Sequence, residues 1–432
     1  MADDQGYGDV AARGHPHLAT PTLDELYRDA VRFERFYAQA PVCSPTRASV
    51  LTGRHPTRIG ITGANVGHLP EGEAQLATSL HDAGYRCGHF GKWHLGTLSK
   101  TVRDSNRGGA RGVAHYAPPW ERGFDVCFST EAKVPTFDPM RTPGRFAGGV
   151  GQKREGSEYG TYYWQCDANG RVSRVDEQEL GGDDSALIVD RACRFIEDCV
   201  ASSKPFFVVV WFHAPHLPVV ASREDRARYD ALAVDLQTKH YYGCLTALDR
   251  ALGKLRTTLR ETGQRDDTML WYCSDNGPEG NSDESPGQTG GLRGRKRSLY
   301  EGGVRVPAFL EWPRRTRGPR VVDAPCSTSD IAPTVLASLG LDTTATQRPF
   351  DGMDVMPLLS GERSLRGAEI AFAYDAEAAL IGDRYKLIGR DGTYELYDLR
   401  ADAAESVDLA NELPDLVHDW HSRLESWKRG LR

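Results

Sequence analysis

The chain has no long apolar run. Its longest clean one, Phe206 to Phe212, is far too short to cross a bilayer and reads as a buried strand. None of its nine cysteines forms a Cys-x-x-Cys pair, which argues against zinc spacing and against a dense disulfide framework. One or two disulfides stay open, and the redox compartment with them. Internal repeats and low-complexity linkers are absent. There is no excess of positive charge either: the net charge is −7, which gives no support to nucleic-acid binding. The one basic cluster, Arg293, Arg295, Lys296 and Arg297, is local and reads as a solvated loop. No signal-peptide pattern is found from Met1 onward. What is present, 39% hydrophobic and 26% charged residues over 432 positions, suffices for one large domain and a smaller one.

Strands alternate with helical stretches, which predicts an α/β fold with a mainly parallel sheet flanked by helices. Helices are expected over Thr22 to Val31, Leu76 to Ala83 (ended by Gly84), Ser185 to Val200, Thr238 to Thr262 and Ser329 to Leu339. Strands are expected around Tyr85 to Phe90, Phe206 to Phe212, Thr268 to Cys273 and Val304 to Glu311. Residues 97–182 are rich in Gly, Arg and aromatics and keep no period, so they read as an elaborated insertion in a large domain spanning 1–345. Within 346–432, three short strands with turns at Gly382-Asp383 and Asp391-Gly392, then a helix from Leu413 to Trp427, predict a small C-terminal α+β subdomain with an antiparallel sheet.

The stretch around which the rest is organised is Cys43-Ser44-Pro45-Thr46-Arg47. Pro45 suits a first helical position and Gly53 the stop after the last turn. A side chain at the start of that helix meets free N–H groups and the positive end of the dipole, a setting that binds anions and lowers a thiol pKa. Arg47, one turn on, can fold back over the same end. Other polar motifs follow predicted strands: Lys92 and His94 after one, His213 after another, Asp275 and Asn276 after a third. Ligands bind beyond the carboxyl ends of strands in open α/β sheets, so these loops are expected to share one crevice. Asp275-Asn276 and the Asp3-Asp4 pair offer hard oxygen donors that suit Ca²⁺ or Mg²⁺ rather than zinc.

Cys-x-Pro-x-Arg with Thr52-Gly53-Arg54 resembles the signature of the type I sulfatases of the alkaline phosphatase superfamily, of the arylsulfatase and N-acetylgalactosamine-6-sulfatase kind. The other motifs resemble that family's blocks in order: Asp3-Asp4 with Gln5 to Asp9, Gly91 to Gly96, His213 to His216, Ser274 to Gly277, and Lys296 ahead of Glu301 to Pro307. The resemblance implies an alkaline-phosphatase-like fold and hydrolysis of sulfate esters, on a sulfated carbohydrate or an aryl sulfate. It implies that a formylglycine-generating (sulfatase-maturing) enzyme oxidises Cys43 to formylglycine, whose hydrate is the nucleophile. By the same similarity Asp3, Asp4, Asp275 and Asn276, with the modified Cys43, hold Ca²⁺ (Mg²⁺ as an alternative). Arg47 and the metal steady the attacking alkoxide, and Lys92 and Lys296 neutralise the sulfate oxygens. His213 protonates the leaving alcohol, His94 takes the second hydroxyl's proton, and His216 lines the substrate side.

In that family the Asp pair ends a central strand, yet only Met1 and Ala2 precede it. An upstream apolar strand is therefore expected, with Met1 internal to it. Without one, neighbouring strands should be exposed and Asp3 and Asp4 poorly anchored. The compartment follows from the same point: periplasmic or secreted with an upstream signal peptide, otherwise cytoplasmic. Two other readings stand beside the first. One is a phosphonate monoester or phosphodiester hydrolase of the same superfamily, and the other a non-catalytic binding protein in which Cys43 stays a thiol.

Overall fold

Apolar segments bounded by Gly, Pro and Asp fold as strands, and the longer periodic segments between them fold as helices. The structure, a computed structural model, describes residues 1–282, 284–316, 318–341 and 349–431. In chain order the first strands are β1 (Val31–Phe33), β2 (Phe36–Tyr37), β3 (Arg86–Lys92), β4 (Val126–Thr130), β5 (Tyr163–Cys166) and β6 (Val172–Arg174). Then come β7 (Phe206–Trp211), β8 (Leu270–Cys273), β9 (Ala308–Glu311), β10 (Arg320–Val322) and β11 (Cys326–Ser327). Near the C-terminus lie β12 (Ile370–Tyr374), β13 (Glu377–Ile381), β14 (Tyr385–Arg390) and β15 (Thr393–Asp398).

One sheet runs β6-β5-β4-β3-β7 and another β10-β1-β9-β8. The pairing is mixed: β3 is parallel to both β4 and β7, whereas β5, β6, β8 and β9 pair antiparallel. Three strands of the first sheet, β4 to β6, come from residues 97–182, where the sequence shows no period. Helices cover both faces. Cys43–Thr52, Leu76–Asp82 and Ile331–Ser338 pack on one side, and Pro21–Asp29, Asp184–Ala201 and Leu236–Glu261 on the other. Two of these helices start on a side-chain cap: Asp183 accepts the Ala186 N–H and Asp235 the Thr238 N–H, each pairing one of the free donors of a first turn.

The edges β7 and β8 face each other, and Met1 and Ala2 lie between them. The Met1 amine donates to the Val210 carbonyl at 2.8 Å, and the Met1 carbonyl accepts the Phe212 N–H at 3.0 Å. On the other side Ala2 N–H donates to the Cys273 carbonyl at 2.9 Å, and the Ala2 carbonyl accepts from Asp275 at 3.1 Å. Behind Met1 the space between the two edges is a cavity of about 610 Å³, lined by β7 and β8 and by Val50, Leu76, Leu255 and Val335. Val208, Val210, Leu270 and Trp271 are only half-buried, although they stand in the middle of the fold. Exposure of the neighbouring strands is thus found as expected, but poor anchoring of Asp3 and Asp4 is not. Asp3 N–H donates to the Ala214 carbonyl at 3.0 Å, Asp4 N–H to Asp275 at 3.2 Å and Gln5 N–H to Ser274 Oγ at 2.9 Å.

Near the C-terminus β12 to β15 form an antiparallel meander. Its residues alternate as a two-faced sheet requires: Ala379 and Ile381 pack with Tyr37 and Val304, while Ala378 and Leu380 pack on Trp420 and Leu424 of the helix Pro414–Arg429. The boundary expected near 345 falls outside the described residues. Lys386 of β14, fully buried, bonds Glu301 at 3.0 Å and Glu405 at 2.7 Å, and Tyr37 Oη donates to Glu301 at 2.9 Å. That network fixes the segment carrying Glu301-Gly302-Gly303. All nine cysteines are free and buried. Among the described residues no helix is long and apolar enough to cross a membrane.

Candidate active site

The helix from Cys43 to Thr52 is buried along all of its 10 residues. Pro45 is its third residue rather than its first, a place where the missing N–H is equally harmless because first-turn donors have no intrahelical partner. Gly53 ends the helix at φ 65°, and a Cβ there would lie 2.7 Å from the Phe350 ring. Cys43 Sγ–H donates to Asp3 Oδ1 at 3.4 Å. The expected lowering of the thiol pKa does not occur. Burial, and then the Asp3 carboxylate beside it, push the Cys43 thiol up, and these outweigh the lysines nearby. A thiol so held is a poor nucleophile.

The loops converge as expected at the carboxyl ends of the strands. Lys92, the last residue of β3, reaches Asp3 at 2.6 Å, and Lys296 reaches Asp4 at 2.7 Å. Arg47 turns back toward the start of its helix, its Nη2 lying 3.5 Å from Asp3, the residue that accepts from Cys43. Its Nη2 donates to Asp275 at 2.8 Å and its Nη1 to the Lys92 carbonyl at 2.6 Å, while its guanidinium lies 5.1 Å from the Trp211 ring centre. Burial would raise Asp3, but Lys92, His216 and Arg47 hold it well below the ordinary carboxylate range. Burial and then the Asp3 charge push Asp275 up to about 7. Asn276 Nδ2 donates to Asp4 at 2.7 Å, while its Oδ1 is buried without a partner. Gly277 locks this motif to the next one: its N–H donates to the Gly303 carbonyl at 2.9 Å, and a Cβ on it would fall 1.9 Å from the Gly302 carbonyl oxygen.

Of the two histidines after β7, His213 differs from expectation. His213, expected to be the proton donor, is fully buried with both ring nitrogens bound, Nδ1 to Asp184 at 2.7 Å and Nε2 to Thr130 at 2.7 Å. It has no free atom for a substrate. His216 is the histidine that faces the site: its Nε2 lies 3.6 Å from Asp4, and its Nδ1–H donates to the Leu217 carbonyl at 2.6 Å. Ligand atoms of Asp3, Asp4, Cys43 and His216 all lie within 4.8 Å of one another. Burial lowers the His216 imidazole to about 3. His94 Nε2 meets Asn65 Oδ1 at 3.1 Å, and its Nδ1 is buried with no partner. Burial, and then Lys92 and Arg47, keep this imidazole neutral.

Several participants gave no signal in the sequence. Asn65 orients His94, Asp184 and Thr130 hold His213, and Glu279 lies 3.4 Å from Lys296. Backbone strain marks the same place, with Asp4, Asn65, His94 and Arg297 all at positive φ. The basic cluster is no solvated loop: Arg295 donates to the Glu279 and Gly287 carbonyls, and Arg297 pairs with Glu279 at 2.6 Å. Beside Asp4 a cleft of about 290 Å³ opens, lined by Pro215, Leu217 and Gln237 and by the acidic Asp235, Glu279 and Glu284.

A family model described as Sulfatase matches residues 1–341. The chain belongs to the sulfatase family. The chain is 29% identical over 440 residues to the steryl-sulfatase of Mus musculus, a match covering 87% of the chain and 66% of that relative. It is 30% identical over 376 residues to the N-acetylgalactosamine-6-sulfatase of Canis lupus familiaris, covering 84% of the chain and 65% of the relative. The matches thus span slightly less than two thirds of these relatives' own lengths. Among solved structures, Ps i-CgsB superposes with a TM-score of 0.82 at 26% identity, covering 99% of this chain and 91% of that one, and it is known also in complex with k-i-k-neocarrahexaose.

Proposed function

We propose that the protein hydrolyses sulfate esters of a carbohydrate or an aryl alcohol, with residue 43 as nucleophile in its oxidised form. The observation that carries this reading is the meeting of Cys43, Asp3, Asp4 and His216 within 4.8 Å, with Lys92 and Lys296 bonded to the two carboxylates. Membership of the sulfatase family and the saccharide held by a similar structure support it. The raised thiol pKa supports a nucleophile other than sulfur. As a hydrated aldehyde made by a maturing enzyme, residue 43 would supply one hydroxyl to attack the ester and a second whose deprotonation lets sulfate go.

The donor set suits a hard divalent cation, Ca²⁺ or Mg²⁺. Asn276 Oδ1 is a buried oxygen without a partner, and Asp3, Asp4 and Asp275 crowd three carboxylates beside it. Asp3, Asp4, Asp275 and Asn276 would hold such an ion, which when bound supplies positive charge against oxygens on residue 43 and on the sulfate. Lys92 and Lys296 add their own charge on the same side. His216 presents Nε2 because Nδ1–H is spent on Leu217, so Nε2 is the atom that delivers a proton to the leaving oxygen. Burial, Lys296 and Lys92 oppose a proton on this imidazole while Asp4 and Asp3 favour it, and an anionic sulfate against the lysines weakens that opposition. His94 presents the bare Nδ1 because Asn65 holds Nε2, and it takes the proton in the release step. Arg47 keeps Asp275 and the end of β3 in place.

Hydrolysis of a matched aryl sulfate and aryl phosphonate separates this reading from the phosphonate hydrolase. The proposal expects the sulfate to give the larger kcat/KM. Preference for the phosphonate overturns it, and no turnover of either by matured protein favours the binding protein.

A further inference from the structure

Lys133 has no place in the mechanism above, although it lies close enough to Lys92, Lys296 and Asp4 to feel their charges. It lies just past β4, whose neighbour β3 ends in Lys92. Two residues before it, the Glu131 carbonyl accepts the His94 N–H at 3.0 Å. On the other side its ammonium donates one long bond, 3.3 Å, to the Gly149 carbonyl. Gly149 rests on Leu217: a Cβ built there would be 3.0 Å from Leu217 Cβ and 3.3 Å from Lys133 Nζ. Leu217 carries the carbonyl that orients His216 and also lines the cleft. The ammonium therefore sits between the His94 and His216 segments, on the side where the alcohol part of an ester departs.

Lys92 and Lys296 each have a carboxylate within 2.7 Å. Lys133 is half-buried and, among the described residues, has no carboxylate partner. Burial, and then Lys92, Lys296 and Lys153, weigh against its positive charge. Asp4 favours the charge without bonding it, and a lysine held so beside other lysines belongs to the kind of group that clusters where a ligand uses it. Asp4, Asp235, Glu279 and Glu284 line the cleft that Leu217 also lines, so an anionic substituent is disfavoured inside it, whereas Lys133, bonded to the Gly149 carbonyl beside Leu217, offers it a positive charge.

We infer that Lys133 binds a second anionic group, on the alcohol part of the substrate, so that the preferred ester carries a carboxylate or another sulfate near the one that is cut. This rests on the sulfate-ester reading above and narrows it to doubly anionic substrates. The test compares phenyl sulfate, 3-carboxyphenyl sulfate and benzene-1,3-diyl disulfate on the matured full chain, in the wild type, Lys133→Met and Lys133→Arg. In the wild type the doubly anionic probes have the higher kcat/KM. Lys133→Met lowers the ratio of doubly to singly anionic kcat/KM about ten- to a hundredfold, mostly through KM, and Lys133→Arg keeps most of it. Whichever second group shows the larger loss, carboxylate or sulfate, names the source. An unchanged ratio in Lys133→Met overturns the inference. So does an equal loss on all three probes, which would put Lys133 on the transferred sulfate itself. If the wild type cuts none of the probes, the sulfate-ester reading has failed. Calorimetric titration of benzene-1,3-disulfonate then decides for Lys133: weaker binding to Lys133→Met supports the inference, and equal binding overturns it.

Discussion

At His213 both ring nitrogens are committed, to Asp184 and Thr130, whereas His216 three residues later keeps Nε2 open toward Asp4. The two should fail differently when replaced. His216→Asn removes a proton donor, so kcat/KM for an alkyl sulfate should fall by about 10²–10⁴. A 4-nitrophenyl sulfate, whose leaving group needs no proton, should lose far less. His213→Asn instead takes from the buried Asp184 one of its two side-chain partners, leaving Tyr163, and should cost about 1–3 kcal/mol of stability. Denaturant unfolding measures that loss, and no change in leaving-group dependence should accompany it. A leaving-group effect confined to the His213 variant would reverse the assignment. The sequence placed this pair of histidines after a strand, but periodicity carries no information about which of two polar side chains turns inward. Asp184 and Thr130, which decide the matter, lie 29 and 83 residues away from His213. The thiol pKa failed for a related reason: the helix start is visible in Cys43-x-Pro45, whereas the burial and the Asp3 neighbour that outweigh it are tertiary.

Between β7 and β8 the pairing pattern is fixed by only two residues, Met1 and Ala2. A parallel ladder uses alternate residues on each neighbour, so Val208 and Trp271 hold slot-facing backbone groups that the short pairing leaves open. The side chains around that slot are apolar, and five further residues would run along both edges. Adding an extension of five β-branched apolar residues ahead of Met1 should raise the melting temperature by several degrees, because the burial gained exceeds the cost of ordering the segment. An extension containing proline at its second and fourth positions should not. Equal melting of the two extended proteins would mean that the slot does not accept a strand. Elements with long periods, such as Leu236–Glu261 and Asp184–Ala201, were legible in the sequence to within a few residues. The stretch 97–182 was not: β5 and β6 have 4 and 3 residues, too short to show an alternation, and β4 is buried on both faces.

For the molecule as a whole, part of the acid sensitivity comes from a histidine far from the chemistry. His55 sits under the C-terminal helix with its ring 4.8 Å from that of Trp427, and its Nδ1 accepts the Thr57 N–H. Burial, and then Arg58, lower it to about 3, below the unfolded value of 6.5. Its contribution to stability is complete above pH 6.5. As pH falls below that point the unfolded chain takes up a proton that the folded chain refuses, and stability drops by up to about 1.4 kcal/mol per pH unit until about pH 3. His55→Asn, which keeps an acceptor for Thr57, should flatten that slope in urea titrations between pH 4 and 6. A slope unchanged by the substitution would contradict it. The same scale holds the account's central claim, that this sulfatase-family chain cuts sulfate esters through an oxidised residue 43. The direct measurement is inorganic sulfate released from 4-nitrophenyl sulfate by protein whose residue 43 is shown by peptide mass to be an aldehyde, with Cys43→Ala alongside. The account predicts steady sulfate release by the wild type and none by the variant. Fully formed aldehyde with no sulfate above the Cys43→Ala background would contradict it.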